Sequence, residues 1–535
     1  MKKNDAVWIG LLALIYLLFW VPMLDVYPSL TPGDMGRDLY ASQMVLEGRL
    51  PFRDYWWQYG PLMPFYYAFW LLVAGVNLVS VKIGVGVVYF LCSFLTYRLL
   101  RLFTSAPVAF LSALAFLGFD MTWTFNHIGA IPLLLLSLFS LWKFFLTGQC
   151  RWPYLGMLAL TAATLVKINT GVAFFGAFLA SLFFFNGDAL RRHSRPPLAW
   201  KHFVFLSVLF LGMIAGIYRF FTEGAPAGWI DQWFPLNPVY RSFLDSPWTN
   251  FKHLVLHFLV WQPKRLLGVD LTGFLFLLGW RGLARRSLSS RKREVLAAVA
   301  GSLLLFLGAS SLDYLTLGAL IYRLDFWIFP FLVVALGLCV ESAKILLGKT
   351  LQKLAAVFFL SFLLWKPSFD LKEALASKTP GRYLDLERGK VYLMGPLSSV
   401  ETSVETFREG TRFILENSSP DQEILAVPYD PLYCFLAGRR HAPWEVKFIQ
   451  DSPPSEGRED ALIRSLETKQ VPLVLMSNRS HSSERGIGYF GKTHCRKLAQ
   501  FLSDRFEEVK TIGPWQADYP LFHALKVFRR KREIR

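Results

Sequence analysis

The chain has 535 residues, of which 53% are hydrophobic, 16% aromatic and only 18% charged, and its formal net charge is +18. Its mean hydropathy is +0.36, whereas a soluble globular domain is about one quarter charged. These values exclude disordered, collagen-like and disulfide-scaffold classes, and one large soluble enzyme, and they leave a polytopic membrane protein.

The positive excess is uneven. Residues 1–368 hold 31 Lys+Arg against 16 Asp+Glu, while residues 369–535 hold 26 against 23. Basic residues concentrate between apolar runs, which the positive-inside rule explains without a nucleic-acid partner. A span needs about 20 apolar residues. Candidates lie near 7–24, 80–99, 105–120, 128–147, 153–166, 169–186, 202–221, 267–280, 295–312, 326–343 and 351–367. That predicts about 11 spans, with residues 1–368 as a membrane domain. The connections at Lys2-Lys3, Arg98/Arg101, Arg151, Arg191 to Lys201, Arg281 to Arg293 and Lys344 to Lys353 are all basic and would lie inside. The N-terminus is then cytoplasmic, and the C-terminal domain extracytoplasmic, at the plasma (inner) membrane.

After the first span comes a predicted outer loop, 25–60. Within it Met35–Leu46 reads as an amphipathic interfacial helix, with Leu39, Met44, Val45 and Leu46 towards lipid and Asp38 and Gln43 towards water. The aromatic run Phe65–Trp70 that follows reads as an interfacial or re-entrant helix, because Trp and Tyr prefer headgroup depth. From about 369 strand-like and helical stretches alternate, which predicts a small soluble α/β domain over 369–535. Strands are expected near 390–394, 423–427, 471–476, 507–512 and 521–528, and helices near 401–417, 457–468 and 493–505.

The densest chemistry lies in the outer loop, in Gly33-Asp34-Met35-Gly36-Arg37-Asp38-Leu39-Tyr40-Ala41 and in Gly48 to Leu62. Asp34, Asp38, Glu47 and Asp54 are carboxylates beside the membrane, and a partly desolvated carboxylate there can accept a proton from a hydroxyl. Tyr55, Trp56, Trp57 and Tyr59 offer faces for a sugar ring or a prenyl chain. Solvated acids and anchoring tryptophans are the plain alternative. A further acid, Asp120, ends a span. Lys167 is nearly the sole charge in a long apolar region, and ionisable groups within membrane segments tend to mark function; snorkelling to the headgroups is the alternative. Arg323, near Asp325, is a second intramembrane cation, and the two can simply pair.

Other features carry less. Five cysteines form no zinc or redox motif, although a Cys434–Cys495 bridge is open. His253 and His257 are spaced i, i+4 but lack a metalloprotease pattern. Asn417-Ser418-Ser419 and Asn478-Arg479-Ser480 fit the glycosylation acceptor pattern. Arg529 to Arg532 reads as a solvated basic tail. No metal site is predicted.

The order of elements in the loop resembles the first outer loop of GT-C-type glycosyltransferases. The likeness is to the family 39-like group that uses polyprenyl-phosphate sugars, including protein O-mannosyltransferases and lipid A aminoarabinose transferases. The matching positions are Asp34, Gly36, Tyr40-Ala41, Gly48 to Pro51, Arg53-Asp54-Tyr55 and Gly60-Pro61. The resemblance implies a polyprenyl-phosphate sugar donor, a glycan, lipid or protein acceptor, and Asp34 as the catalytic carboxylate. Asp38, Asp54 and Asp120 are then secondary acids, and Lys167 and Arg323 candidates for the donor phosphate. Met35 departs from a common Glu, and Tyr59-Gly60-Pro61 lacks the Lys that the aminoarabinose branch places before its Pro. The chemistry needs no nicotinamide or flavin, and either cationic side chains or a divalent cation can neutralise a phosphate leaving group. A transporter or flippase, or a non-catalytic membrane subunit of cell-envelope glycan assembly, is the alternative.

Overall fold

The computed structural model describes residues 3–118, 126–191, 200–225, 297–306, 324–343, 349–450, 456–481, 487–517 and 522–531, with positions 309, 454 and 519. Its first half is helical. The elements are α1 (Lys3–Trp20), a short strand β1 (Val26–Tyr27), α2 (Asp34–Leu46), α3 (Leu62–Ala74), α4 (Leu78–Leu100), α5 (Ala106–Leu114), α6 (Ala130–Thr147), α7 (Arg151–Val166), α8 (Ile168–Arg191) and α9 (Trp200–Thr222). Further along come α10 (Ala297–Phe306), α11 (Leu324–Ala343) and α12 (Lys349–Ala376).

Among the described residues five helical stretches are long and apolar enough to cross a membrane: Asp5–Met23, Leu78–Leu100, His127–Thr147, Ile168–Phe185 and Trp200–Thr222. Their outward faces are apolar, as at Leu17 and Leu18 of α1 and Val208 and Leu211 of α9; hydrocarbon rather than water suits such a surface. Of the other predicted spans, 267–280 lies outside the described residues. Local chemistry sets the ends. Asn77 caps α4 by accepting from the Ser80 amide at 3.0 Å, and Gly148 ends α6 at φ 65°. Helix α3 has 13 residues, about 20 Å of rise, too short to cross.

The last part of the chain holds two sheets. One has the order β1–β3–β2, with β2 Tyr383–Leu384 and β3 Val391–Leu393. The other has the order β5–β4–β6–β8–β7, with β4 Glu423–Val427, β5 Arg440–His441, β6 Leu473–Ser477, β7 Phe506–Ile512 and β8 Leu525–Arg530. Strands β5, β4 and β6 run parallel, and β8 and β7 add antiparallel. Helices α13 (Leu397–Asn417), α14 (Leu432–Ala437), α15 (Glu456–Thr468) and α16 (Arg496–Arg505) lie between them in sequence. Residues 424–427 of β4 are all buried, the run of apolar side chains that a parallel strand covered on both faces requires.

The segment after α1 is stitched into both halves. Strand β1 pairs in parallel with β3, Val26 opposite Tyr392, and Lys378 bonds Asp25 at 2.7 Å. Lys82 of α4, 1% exposed, donates to the Val26 carbonyl and lies 4.6 Å from the Tyr27 ring centre. The Tyr27 hydroxyl donates to the Leu78 carbonyl at 2.7 Å.

Four expectations are corrected. Residues 34–46 are helical, but Met35 to Met44 are buried, including Asp38 and Gln43. Helix α2 packs against α3 and α14, so protein covers all but its ends, where Asp34, Val45 and Leu46 are half-buried. Its polar side chains are instead met by protein: Gln43 accepts from Arg388 at 3.1 Å, and Glu47 pairs with Arg440 at 3.3 Å. Cys434 and Cys495 are both free and belong to separate apolar clusters. Arg529 and Arg530 end strand β8, with Arg530 donating to the Val471 and Leu466 carbonyls, so these positions are not a solvated tail. Asn478 is 1% exposed and its amide donates to the Ala517 and Phe522 carbonyls, which shields it from glycosylation in the folded chain. His253 and His257 lie outside the described residues.

Candidate active site

Asp34 occupies the first turn of α2, where amide dipoles favour an anion. The turn is set by Thr31, whose hydroxyl accepts from the Met35 amide at 3.4 Å, and by the Arg37 amide, which donates to Gly33 at 2.7 Å. One turn on, the Arg37 guanidinium is 1% exposed. It donates to Asp34 Oδ1 at 3.1 Å, to Asp38 Oδ1 at 2.9 and 2.7 Å, and to the Tyr429 hydroxyl at 3.0 Å. Its planar fork also lies 4.8 Å from the Tyr59 ring centre and 5.5 Å from that of Trp57, a stacking and bidentate arrangement that Lys cannot copy.

The second half of the site comes from the C-terminal sheet. Tyr429 donates from its hydroxyl to Asp34 Oδ1 at 2.9 Å. Lys447 lies over the Tyr429 and Trp56 rings at 5.7 and 5.9 Å, and Arg479 over those of Tyr429 and Tyr519 at 5.5 and 5.3 Å. Close approach is built in. A Cβ on Gly33 would come within 2.5 Å of Arg479 Nη1 and 2.6 Å of the Tyr429 ring. Tyr429 and Arg479 each stand two residues beyond the ends of β4 and β6, neighbouring parallel strands. The carboxyl edge of such strands is where open α/β sheets present ligand-binding loops.

The electrostatics oppose one another at Asp34. Burial works to raise its carboxyl, but Arg37, Lys447, the Tyr429 hydroxyl and Arg479 outweigh it and hold the group below the usual carboxylate range. Burial pushes the Tyr429 hydroxyl well above its ordinary value, so it stays protonated and donates. The Asp34 side chain is 47% exposed. Both of its hydrogen bonds among the described residues go to Oδ1, and neither engages Oδ2. The arrangement therefore offers an ionised carboxylate with one oxygen held and one available.

The other predicted residues divide. Asp38 is joined to Asp34 through Arg37 but is 3% exposed, so it orients the guanidinium and does not face solvent. Asp54 is apart: it pairs with Arg53 at 2.8 Å and accepts from the Leu50 amide at 2.7 Å, closing its own turn. Burial acts to raise the Asp54 carboxyl, and Arg53 and that amide more than reverse it. Tyr55, Trp56 and Trp57 are 2, 3 and 1% exposed. Tyr55 meets Tyr40 edge-on, the Trp56 amide donates to the Trp444 carbonyl, and the Trp57 indole donates to the Gly60 carbonyl. Packed this way the three rings are buried, whereas Tyr59 is half-buried. Lys167 lies at the break between α7 and α8 and is 3% exposed. Just before it, Leu165 and Val166 receive the loop: the Gly60 amide donates to Val166 at 3.1 Å, and a Cβ on Gly60 would lie 2.0 Å from the Leu165 carbonyl oxygen. Asp120 and Arg323 lie outside the described residues.

Sequence reading missed Arg37, Tyr429, Lys447 and Arg479. The available signals were Gly33 and Gly36 on one helical turn, which allow close backbone approach, and the position of Tyr429 and Arg479 just past two predicted strands. Among the described residues no three His, Cys, Asp or Glu are grouped to hold a metal ion. The cations around Asp34 would repel a divalent ion there, so these residues do not fit one.

The described residues thus define a multi-pass helical membrane protein with a carboxylate site where the helices meet a mixed α/β sheet. No protein-family model matches the chain, and no curated protein matches it. Among solved structures it is similar to ArnT from Cupriavidus metallidurans bound to undecaprenyl phosphate, at 14% identity over 97% of this chain and 98% of that one, with a TM-score of 0.49. The same protein in the apo state gives 14% identity, 98% of each chain and 0.49. The Archaeoglobus fulgidus oligosaccharyltransferase in its apo form gives 12% identity over 90% of this chain and 71% of that one, with 0.48. Both proteins are of the GT-C kind.

Proposed function

We propose that the protein is an integral-membrane glycosyltransferase that moves a sugar from a polyprenyl phosphate to an acceptor hydroxyl at the outer membrane face, with inversion. The observation that carries this reading is the Asp34 carboxylate, ionised, half-exposed and unengaged at Oδ2 among the described residues, beside helices that can hold an isoprenoid tail. The acceptor oxygen attacks the anomeric carbon as the bond from that carbon to the phosphate oxygen breaks. The hydroxyl proton passes to Asp34 Oδ2, and prenyl phosphate leaves. An anion with a depressed pKa is a weak base, but the attacking hydroxyl becomes acidic only as the new bond forms, so the proton can move late.

The departing phosphate needs positive charge. Lys447 and Arg479 are half-buried cations near Asp34, and Lys167 and Arg323 are proposed for the same role from within the membrane segments. Asp120 is proposed as a second acid, and Tyr59, beside Arg37, as a ring on which a sugar or prenyl chain packs. In this reading about 11 spans carry the site, and the C-terminal domain lies outside.

The test is release of prenyl phosphate from a panel of polyprenyl-phosphate hexoses and pentoses by the purified full-length protein. Release that requires an added acceptor and is lost in Asp34→Asn supports the reading. Passage of the intact donor across vesicles without bond cleavage would establish a flippase instead.

A further inference from the structure

Tyr429 stands 395 residues from Asp34 in sequence, yet its hydroxyl is the third corner of a closed triangle. Arg37 Nη1 donates to Tyr429 at 3.0 Å, Tyr429 donates to Asp34 Oδ1 at 2.9 Å, and Arg37 Nη1 donates to Asp34 Oδ1 at 3.1 Å. The ring that carries the hydroxyl is 2% exposed and is fixed between Lys447 and Arg479, with Gly33 pressed against its edge. A side chain held on all these sides has one orientation, and its proton has one acceptor, because the guanidinium that donates to the same oxygen cannot accept.

We infer that Tyr429 is a positioning residue. It fixes Asp34 Oδ1 so that Oδ2 alone faces the acceptor hydroxyl, which makes the C-terminal sheet half of the active site and not a separate binding module. The inference rests on the transferase reading of Asp34. Its geometric core, the coupling of Tyr429 to the Asp34 carboxylate, can be measured without any turnover. The groups that face Asp34 are Arg37 on its own helix, and Tyr429, Lys447 and Arg479 from the sheet. Of these, Tyr429→Phe removes two hydrogen bonds, the one donated to Asp34 and the one accepted from Arg37, and leaves every charge in place. A hydrogen bond to an ionised carboxylate favours that form, so its loss raises the Asp34 carboxyl.

Two measurements on full-length protein test this. The first is labelling of Asp34 by a water-soluble carbodiimide and an amine, followed by peptide mass spectrometry across pH, because the protonated carboxyl is the form that reacts. The labelling midpoint of Tyr429→Phe should lie above wild type by about half a pH unit or more. The second is prenyl phosphate release, where kcat should fall about 10-fold, the acid limb should move up by the same interval, and donor KM should stay within about twofold. A merely structural Tyr429 would lower abundance and leave midpoint and acid limb in place. An unshifted midpoint together with wild-type kcat, with Asp34→Asn inactive, overturns the inference alone. If Asp34→Asn keeps its turnover the transferase reading fails, while the labelling shift still decides whether Tyr429 holds the carboxylate. Tyr429→Leu, which also lacks the hydroxyl, is read in the same assays should the Phe variant fail to accumulate, and an unshifted midpoint overturns the inference there too.

Discussion

Gly36 and Leu432 meet backbone to backbone: a Cβ added at position 36 would lie 2.4 Å from the Leu432 nitrogen and 2.8 Å from its Cα. Helix α2 and helix α14 are therefore closer than any larger residue permits, and that closeness brings Tyr429 within reach of Asp34. Gly36→Ala should destabilise the fold by about 1–3 kcal/mol, since backbone cannot rotate away as a side-chain tip can. Gly10→Ala, on an open face of α1, is the control and should be neutral or slightly stabilising. Thermal unfolding of the two variants in detergent checks the contrast.

Asp34→Asn preserves shape and removes the proton acceptor. Turnover should fall by about 10²–10⁴-fold, with abundance and melting temperature close to wild type because the side chain is half-exposed. Loss of the folded protein along with activity would contradict the assigned role.

Lys82→Met should loosen the entry to the site. The ammonium is the donor to the buried Val26 carbonyl, and an apolar replacement leaves that carbonyl without it, at a cost of about 1–3 kcal/mol. Limited proteolysis between residues 25 and 60 should quicken, and an unchanged cleavage rate would refute the clamp.

Two buried histidines set an acid limit on stability. Burial holds His441 down at about 4 and His523 at about 3, against an ordinary 6.5. Below pH 6.5 the unfolded chain binds protons that the fold refuses. Their contribution is thus complete above 6.5 and is lost progressively as pH falls toward 4 for His441 and toward 3 for His523. Melting temperature should drop over that interval, and the double variant His441→Gln, His523→Gln should show a shallower slope from a lower starting value.

What the sequence determined by itself was whatever depends on local order. Apolar length marked the helices that became α1, α4, α6, α8 and α9, and short strand-like runs marked the strands that became β3, β4, β6, β7 and β8, because the hydropathy and β-preference of a short segment are properties of neighbouring residues. It also singled out Asp34, through the order of short elements around it. Only the tertiary structure decided what surrounds that carboxylate. Met35 to Met44 look amphipathic in isolation, and it is the packing of α14 and α3 that buries them whole. Tyr429 and Arg479 reach the site because two parallel strands end there, and Trp56 is covered from the same half of the chain by Trp444 and Lys447. No local pattern encodes a meeting of segments nearly 400 residues apart, because its energy comes from surfaces that exist only once both halves have folded.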